Sequence, residues 1–307
     1  MSVDILMATY NGGKYLRNQL LSLQQQTYED WVLWVRDDGS TDNTMDILHA
    51  FSSQDKRIRI VEEDSGKGLG PGKNFLGLTK FSSADYVIFC DQDDIWFEKK
   101  IEVLIEYASN NFSSEVPSLV YCDGYGYSDK EGVVKIESIS TLHAKDLRGF
   151  LFFNAGYQGC SMFFNRALCQ MAADYRASYF YMHDDVVSLL AHVFGVVAFL
   201  PKKMMLYRQH ENNVTGNIAT DKFALLRRVT DRKALVVSAQ HYKEKKSFYR
   251  AYRSEMINEV KQIFLAYLIY PKLGRFRRVG LILSHGFSIG GNRLKLVVKT
   301  MLRRAVG

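Results

Sequence analysis

Three carboxylates within four residues follow a short apolar segment of this 307-residue chain. Residues 86–90 have the β-branched and aromatic side chains of a buried strand, and Asp91, Asp93 and Asp94 come directly after them. Side chains two positions apart in an extended chain point the same way, so Asp91 and Asp93 require a counter-charge. Mg²⁺ or Mn²⁺ meets that need and usually binds phosphate oxygens as well. The local motif therefore predicts either a metal site or a solvated acidic turn.

The segments that position this cluster alternate between strand-like and helix-like patterns. Strand patterns at residues 3–8, 31–36, 58–62 and 86–90 alternate with helix patterns at residues 13–25, 41–51 and 72–80. Such alternation predicts an α/β fold with helices on both faces of a sheet and ligands beyond the carboxyl ends of its strands. Polar segments at residues 9–12 and 37–42 follow the first two strands. All three polar segments are expected at one edge of the sheet.

The second half of this alternating region adds candidates to the same edge. It reads as a helix at 99–110, a strand at 118–122, a returning strand within 150–165 and a last strand near 195–200. Asp184 and Asp185 head a helix-like segment after His183, and Arg208 and His210 follow the last strand. Asp184 is interpreted either as a helix cap or as a catalytic group.

A glycine-rich loop at residues 66–74 does not match a Walker phosphate loop. Lys67 stands where that motif needs its first glycine, and Asn74 where it needs a hydroxyl. We expect a flexible loop that lies over a ligand, with Lys73 near a phosphate.

Together these groups describe a site for a nucleotide diphosphate. Asp38 can accept hydrogen bonds from a nucleobase, while Asp91 and Asp93 hold a metal between two phosphates. In a group transfer the metal stabilises the departing diphosphate, and a carboxylate removes the proton of the attacking hydroxyl. Asp184 is the expected base, and Asp185 is the alternative.

Six short segments, in this order, resemble glycosyltransferases of family 2. They are ATYNG at 8–12, RDDGSTD at 36–42, Lys73-Asn74, DQDDIW at 91–96, His183-Asp184, and YRQH at 207–210 with Asn213 and Gly216 following. DQDDIW and YRQH are most similar to bacterial rhamnosyltransferases of surface polysaccharide synthesis. The resemblance covers about residues 2–216 and implies the GT-A fold, with a mostly parallel, Rossmann-like mixed sheet.

The resemblance also implies a role for each matching residue. It assigns nucleotide-sugar binding to Thr9, Asn11, Asp38, Lys73, Asp91 and Arg208. It assigns the metal to Asp93, Asp91 and His210, and acceptor-side contacts to Asp94 and Trp96. Asp184 would be the base of an inverting, single-displacement transfer. Relatives commonly have aromatic residues after His-Asp, whereas this chain has Asp185, which stays an alternative base.

The sequence therefore predicts a metal-dependent inverting hexosyltransferase with Mg²⁺ or Mn²⁺ as cofactor. Its donor would be a dTDP- or UDP-type sugar, with L-rhamnose favoured, and its acceptor a glycan or a polyprenyl-diphosphate-linked glycan. A non-catalytic sugar-nucleotide-binding protein and a nucleotidyltransferase that makes sugar nucleotides are the alternatives. The second of these classes has a basic, glycine-rich loop after its first strand, and residues 9–12 contain no basic residue.

Charge divides the chain into two parts. Residues 221–307 carry 20 Lys and Arg against 5 Asp and Glu, whereas residues 1–220 carry 20 against 28. We expect a GT-A catalytic domain at residues 1–216 and a basic, mainly helical region at residues 217–307. A basic amphipathic helix binds anionic membranes, so this region predicts a cytoplasmic enzyme, peripheral on the inner face of the cell membrane. A soluble helical bundle is the alternative.

Other partners and locations have little support in the sequence. No zinc finger, RNA-binding aromatic motif or recognition helix is evident, so no nucleic-acid partner is predicted. No signal peptide or transmembrane helix is predicted either, and the four cysteines lack the spacing of a zinc site.

Overall fold

The computed structural model describes residues 1–128, 132–133, 138–210 and 234–306. In these ranges nine strands form one mixed sheet, and two short strands form a second sheet. The larger sheet has the order β3-β2-β1-β4-β8-β6-β9-β5, with β7 paired to β6.

The first half of the chain builds the parallel part of the large sheet. Its elements are β1 (Val3–Thr9), α1 (Leu16–Gln24), β2 (Trp31–Asp37), α2 (Thr44–Gln54), β3 (Ile58–Ile60), α3 (Pro71–Leu78) and β4 (Tyr86–Cys90). Strand β1 is parallel to both β2 and β4, and β2 is parallel to β3. Thr9 pairs with Asp37, and Met7 pairs with Cys90, so the carboxyl ends of these strands meet at one edge.

The second half makes the sheet mixed. Its elements are β5 (Ile95–Trp96), α4 (Lys100–Asn111), β6 (Ser118–Ser128), β7 (Gly132–Val133), α5 (Leu147–Phe150), β8 (Met162–Asn165), α6 (Arg166–Ala173), α7 (His183–Phe194) and β9 (Val196–Arg208). Strand β8 is antiparallel to β4 and β6, β9 is parallel to β6, and β5 is antiparallel to β9.

Both faces of the sheet are covered by helices, which explains why β4 is buried along its whole length. Ile88 and Cys90 point to the face covered by α1, α2 and α4, whereas Val87 and Phe89 point to the face covered by α3, α6 and α7. The predicted α/β sheet with helices on both sides is confirmed.

Two predicted elements have different bounds. The expected strand within 150–165 is wrong for most of its length, because Phe150 ends α5 and the strand begins only at Met162. The chain between them passes against the head of α7, where Gly156 allows a close approach. Strand β9 is longer than predicted, so Tyr207 and Arg208 lie on the strand and not after it.

The C-terminal segment is mainly helical, as expected. It contains β10 (Leu235–Val237), α8 (Ala239–Tyr252), α9 (Asn258–Ile269), α10 (Arg275–His285), α11 (Arg293–Leu302) and β11 (Arg304–Val306). The two strands pair in parallel, which joins the beginning and the end of the segment. Among the helices that the structure describes, none is long and apolar enough to cross a membrane.

This segment shares a hydrophobic core with the rest of the chain. Phe248 and Tyr267 belong to the same buried cluster as Phe150 and Val187. The predicted boundary after residue 216 lies outside the described residues, as do Asn213 and Gly216. That boundary stays a prediction, while the packing ties the last helices to the α7 side of the sheet.

Candidate active site

The loops after β1 and β2 are held together by one buried carboxylate. Asp37 accepts hydrogen bonds from the Thr9 hydroxyl at 2.8 Å and from the Gly39 and Ser40 amides at 2.9 and 2.7 Å. Thr9 is therefore buried and engaged within the loop. Its predicted contact with the nucleotide stays a prediction.

The neighbouring Asp38 faces the glycine-rich loop. Its two carboxylate oxygens accept hydrogen bonds from the amides of Leu69 and Gly70, each at 2.7 Å. Asn11 adopts a positive φ of 46° and accepts a hydrogen bond from the Thr41 amide at 2.8 Å. The expected loop over the ligand thus lies against the carboxylate that was predicted to bind the base.

The end of β9 is bound directly to the acidic cluster. The His210 Nε2 lies 2.7 Å from the Asp93 Oδ2, and the Arg208 Nε donates to the Asp93 carbonyl at 2.7 Å. The Arg208 amide donates to the Asp94 Oδ1 at 3.0 Å. The guanidinium of Arg208 also lies over the Tyr15 ring, 4.6 Å from its centroid. Two segments 115 residues apart are thus brought together.

A second group of metal-ligating atoms lies beside this one. Potential ligand atoms of Asp91, Asp94 and Cys160 lie within 4.8 Å of one another. The Asp94 Oδ2 is buried and has no hydrogen-bond partner among the described residues. Burial and the charge of Asp93 raise the pKa of Asp91 to about 7 and raise the pKa of Asp94 well above its usual range.

These residues fit a hard divalent cation. Carboxylates that are desolvated and close together favour a bound cation, and oxygen ligands select Mg²⁺ or Mn²⁺. Asp91, Asp94 and Cys160 form one group of potential ligands, and Asp93 and His210 form a separate pair. The sequence interpretation missed Cys160, since its spacing from the other cysteines gave no metal signal.

The two predicted acceptor-side residues are buried. Asp94 has no exposed surface, and Trp96 is covered by Lys100, whose Nζ lies 3.8 Å from the centre of the indole. The same Nζ donates to the Cys160 carbonyl at 2.7 Å. Both side chains are buried, and their predicted contacts with an acceptor stay predictions.

The first turn of α7 carries two carboxylates in different surroundings. Asp184 is partly exposed, and its Oδ1 accepts a hydrogen bond from the Asp185 amide at 2.9 Å. Burial of the carboxyl group and the charge of Asp185 raise the pKa of Asp184 well above its usual range. Asp185 is buried, with its Oδ2 3.3 Å from the His241 Nε2. The charge of Asp91 also raises the pKa of Asp184, so these two acids share one electrostatic environment.

Residues 156–160 connect the acidic cluster to α7. A Cβ atom at Gly156 would lie 2.7 Å from the Asp184 carbonyl carbon, and one at Gly159 would lie 2.8 Å from the His183 Nε2. Cys160 then contacts the acidic cluster. The sequence interpretation took this segment as a strand, although its glycines were a signal of close packing.

His183 and Lys73, two further residues of the matching segments, have different surroundings. His183 is buried and stacked on Phe75 at 4.2 Å, and burial lowers its pKa to about 3, so it is a neutral packing residue. Lys73 is exposed on the first turn of α3. That turn lies close to the head of α7, because a Cβ atom at Gly72 would lie 3.1 Å from the Tyr181 carbonyl oxygen.

Comparison with protein families and sequences gives consistent matches. The model of the family described as Glycosyl transferase family 2 matches residues 4–170. The dTDP-rhamnosyl transferase RfbG of Shigella flexneri is 32% identical over 68% of this chain and 73% of its own length. The Escherichia coli UDP-Glc:alpha-D-GlcNAc-diphosphoundecaprenol beta-1,3-glucosyltransferase WfgD is 35% identical over 36% of this chain and 42% of its own length.

Comparison with solved structures supports the fold. The crystal structure of S. aureus TarS 1-349 in complex with UDP-GlcNAc superposes with a TM-score of 0.57, covering 98% of this chain and 89% of that one. The sequence identity is 15%, so this likeness concerns the fold alone. The predicted GT-A fold is thereby confirmed.

Proposed function

Since the chain belongs to glycosyl transferase family 2, we propose that it is a metal-dependent, inverting enzyme of surface polysaccharide synthesis. One observation carries the proposal: Asp93, His210 and Arg208 contact one another in the acidic cluster, and the charge of Asp91 in that cluster acts on Asp184. A cluster that suits a diphosphate and its metal thus lies near a carboxylate that suits a proton transfer.

In the proposed reaction the acceptor hydroxyl attacks the anomeric carbon of the donor sugar. The new glycosidic bond forms as the bond to the diphosphate oxygen breaks, and the hydroxyl proton passes to Asp184. A bound Mg²⁺ or Mn²⁺ would supply charge stabilisation to the departing diphosphate. Arg208, which lies beside the acidic cluster, would contribute fixed positive charge near the same group.

Asp184 is favoured over Asp185 as the base. Asp184 is partly exposed, whereas Asp185 is 3% exposed and lies against His241. A base must come within hydrogen-bond distance of the hydroxyl that it deprotonates, which favours the residue that is partly exposed. Its raised pKa makes Asp184 a stronger base than an ordinary aspartate.

For the donor we propose dTDP-L-rhamnose, and for the acceptor a polyprenyl-diphosphate-linked glycan. The choice of donor is based on the relative named dTDP-rhamnosyl transferase, which aligns with most of this chain. The acceptor rests on WfgD, whose name states an undecaprenol-linked diphosphate acceptor and which aligns with about a third of the chain.

We also propose that the enzyme works at the cytoplasmic membrane surface, attached through α10 and α11. Phe276 is 83% exposed and Leu294 is 72% exposed, and Leu283 and Val298 are exposed on the same two helices. Basic residues lie among them: Arg275, Arg277, Arg278, Arg293, Lys295 and Lys299. Exposed apolar side chains with surrounding positive charge are what an anionic membrane surface binds.

A donor panel tests the enzymatic proposal. The protein is incubated with Mn²⁺ or Mg²⁺ and dTDP-L-rhamnose, UDP-glucose, UDP-GlcNAc or GDP-mannose, and binding and slow release of nucleoside diphosphate are measured. We expect dTDP-L-rhamnose to bind most tightly and to be hydrolysed slowly without an acceptor. Recognition of none of these donors would contradict the proposal. Release of pyrophosphate from dTTP and a sugar phosphate would instead indicate a nucleotidyltransferase.

A further inference from the structure

A buried contact joins the C-terminal segment to the head of α7. The His241 Nε2 lies 3.3 Å from the Asp185 Oδ2, and the two side chains are only 7% and 4% exposed. The other ring nitrogen of His241 lies 2.5 Å from the hydroxyl of Ser238, the N-cap of α8. Since both ring nitrogens have partners, the imidazole is fixed in orientation.

The surroundings of this pair are rich in titratable groups. Asp184 faces it from α7, Glu244 and Lys245 face it from α8, and Tyr175 and Tyr181 face it from the segment between α6 and α7. Most of these groups have other partners in the described structure. Glu244 accepts a hydrogen bond from the Tyr181 amide at 3.2 Å, and Lys245 donates to the Phe153 carbonyl at 2.8 Å. His241 lies in contact with the Asp185 carboxylate, whose Oδ2 has no hydrogen-bond partner among the described residues.

We infer that His241 is a positioning residue for the transfer reaction. It lies against Asp185, holds that carboxylate in the interior and screens it with a polar ring, so that the adjacent Asp184 can accept the proton of the acceptor. The inference rests on the proposed function, because it takes Asp184 as the base. Through His241 the C-terminal segment helps to position the catalytic base, in addition to its packing and its proposed membrane contact.

The electrostatic consequence is specific. A buried carboxylate without a compensating partner acts on its neighbours through a poorly screened field, and a like charge raises the pKa of a nearby acid. Without the imidazole, Asp185 would raise the pKa of Asp184 further than it does already. A larger share of the enzyme would then carry a protonated, inactive base at any given pH on the acidic limb.

The test uses full-length His241→Gln with saturating Mn²⁺ and donor, and records kcat and KM from pH 5.5 to 9. We expect the acidic limb of kcat to move up by about one pH unit, so that kcat falls about tenfold on that limb and less than about twofold at pH 9. The KM for the donor should stay within about twofold. His285→Gln is the matched control, because His285 also contacts a serine hydroxyl, that of Ser284 at 3.0 Å, in a different helix.

A double variant separates charge compensation from a merely structural role. In Asp185→Asn/His241→Gln there is no carboxylate left to compensate, so the acidic limb should return toward its position in Asp185→Asn alone. If His241→Gln lowers kcat by one factor at every pH, or if the double variant loses the product of the two single losses, the inference is overturned.

A measurement without turnover separates this inference from the proposed function. In ¹⁵N-labelled protein without substrate, the Nε2 signal of His241 should shift in Asp185→Asn, because the carboxylate that it contacts is removed. If no donor is turned over but this signal behaves as expected, the proposed function fails and the pairing stands. If the signal is the same in Asp185→Asn, the pairing itself is wrong.

Discussion

Single residues at the sheet edge divide into those that hold the loops and those that remain for chemistry. The Asp37 carboxylate accepts hydrogen bonds from Thr9 and two backbone amides. Asp94 is buried and accepts a hydrogen bond from the Arg208 amide. Asp93 contacts His210 through its side chain, and Asp184 is partly exposed. Adjacent acids of the same type therefore have different roles, because burial and hydrogen bonding differ from one to the next.

Removal of Asp93 tests the metal proposal. We expect Asp93→Ala to weaken Mn²⁺ binding in the presence of a nucleoside diphosphate by about tenfold or more, since the His210 contact and a charged ligand are both lost. Binding is measured by isothermal titration with Mn²⁺. Asp46→Asn, on the exposed side of α2, is the control and should leave the affinity unchanged. Equal affinities for the wild type and Asp93→Ala would exclude Asp93 as a ligand.

The sequence identified these acids as candidates but not their surroundings. Spacing after predicted strands placed Asp38, Asp91 and Asp93 at one edge, and the register of β1 with β2 and β4 explains why these strands end together. The burial of Trp96 and the contact of Asp94 with Arg208 depend on residues more than 100 positions away in β9, which no local pattern reveals.

At the level of elements, the head of α7 is positioned by segments from two parts of the chain. Residues 156–160 pass against its first turn, and α8 contacts it from the other part through His241. The glycines of the first segment allow backbone-to-backbone approach that a side chain would prevent. The position of Asp184 therefore depends on small residues that carry no reactive group.

Gly156→Ala tests this dependence. A Cβ atom there would lie 2.7 Å from backbone atoms of Asp184 and Asp185, so the first turn of α7 must shift. Since small misplacements of catalytic groups are costly, we expect kcat to fall about tenfold to 100-fold with little change in donor affinity. Gly280→Ala in α10, where a Cβ atom meets nothing within 4 Å, should keep full activity and stabilise the fold slightly. Wild-type kcat in Gly156→Ala would show that this contact does not position the base.

The predicted elements were right where the hydrophobic period was clear. Strands β1, β2 and β4 and helix α3 lie where their patterns placed them, because fully buried strands and amphipathic helices have distinct periods. The strand prediction was wrong for residues 150–161, because an aromatic, glycine-containing segment can match a strand pattern without forming a strand. Its actual course is determined by contact with α7, which is distant in sequence.

On the scale of the whole molecule, the basic C-terminal segment is packed into the protein and is not a free tail. Phe248 and Tyr267 share the core cluster of α7, while exposed apolar and basic side chains remain on α10 and α11. The charge asymmetry was evident in the sequence, but the shared core was not, because it arises from contacts between distant segments. Deleting this segment would disrupt the core, so membrane binding must be tested with substitutions in the full chain.

Phe276→Ser/Leu294→Ser tests the membrane proposal. Removing two of the most exposed apolar side chains should weaken sedimentation with vesicles containing phosphatidylglycerol by about tenfold or more, because each buries apolar area in the interface. Leu21→Ser/Val116→Ser, which changes exposed apolar residues of the catalytic part, should not affect it. If both double variants bind vesicles as the wild type does, α10 and α11 are not the attachment surface.

Buried His183 and partly buried His192 predict the response of stability to acid. Burial lowers the pKa of His183 and of His192 to about 3 in the folded protein. As the pH falls, the unfolded chain therefore binds protons before the folded protein does. The contribution of the two neutral imidazoles to the free energy of unfolding is fully present above pH 6.5 and is lost as the pH falls. Each histidine should lower the free energy of unfolding by about 1.4 kcal/mol at pH 5.5 relative to neutral pH.

Urea unfolding at pH 7.5 and pH 5.5 measures this loss. His192→Gln should lose about 1.4 kcal/mol less than the wild type over this interval, whereas exposed His49→Gln should lose as much as the wild type. The same loss in the wild type and His192→Gln would contradict the assignment of His192 as a partly buried neutral residue.

Determining which carboxylate is the catalytic base tests the proposed mechanism most directly. Turnover and donor affinity are measured for the wild type, Asp184→Asn and Asp185→Asn with saturating Mn²⁺ and the donor selected by the panel. We predict that Asp184→Asn loses about 100-fold to 10,000-fold in kcat while its donor affinity stays within about twofold, and that Asp185→Asn loses far less. Full turnover in Asp184→Asn, or an equal loss confined to Asp185→Asn, would contradict the account.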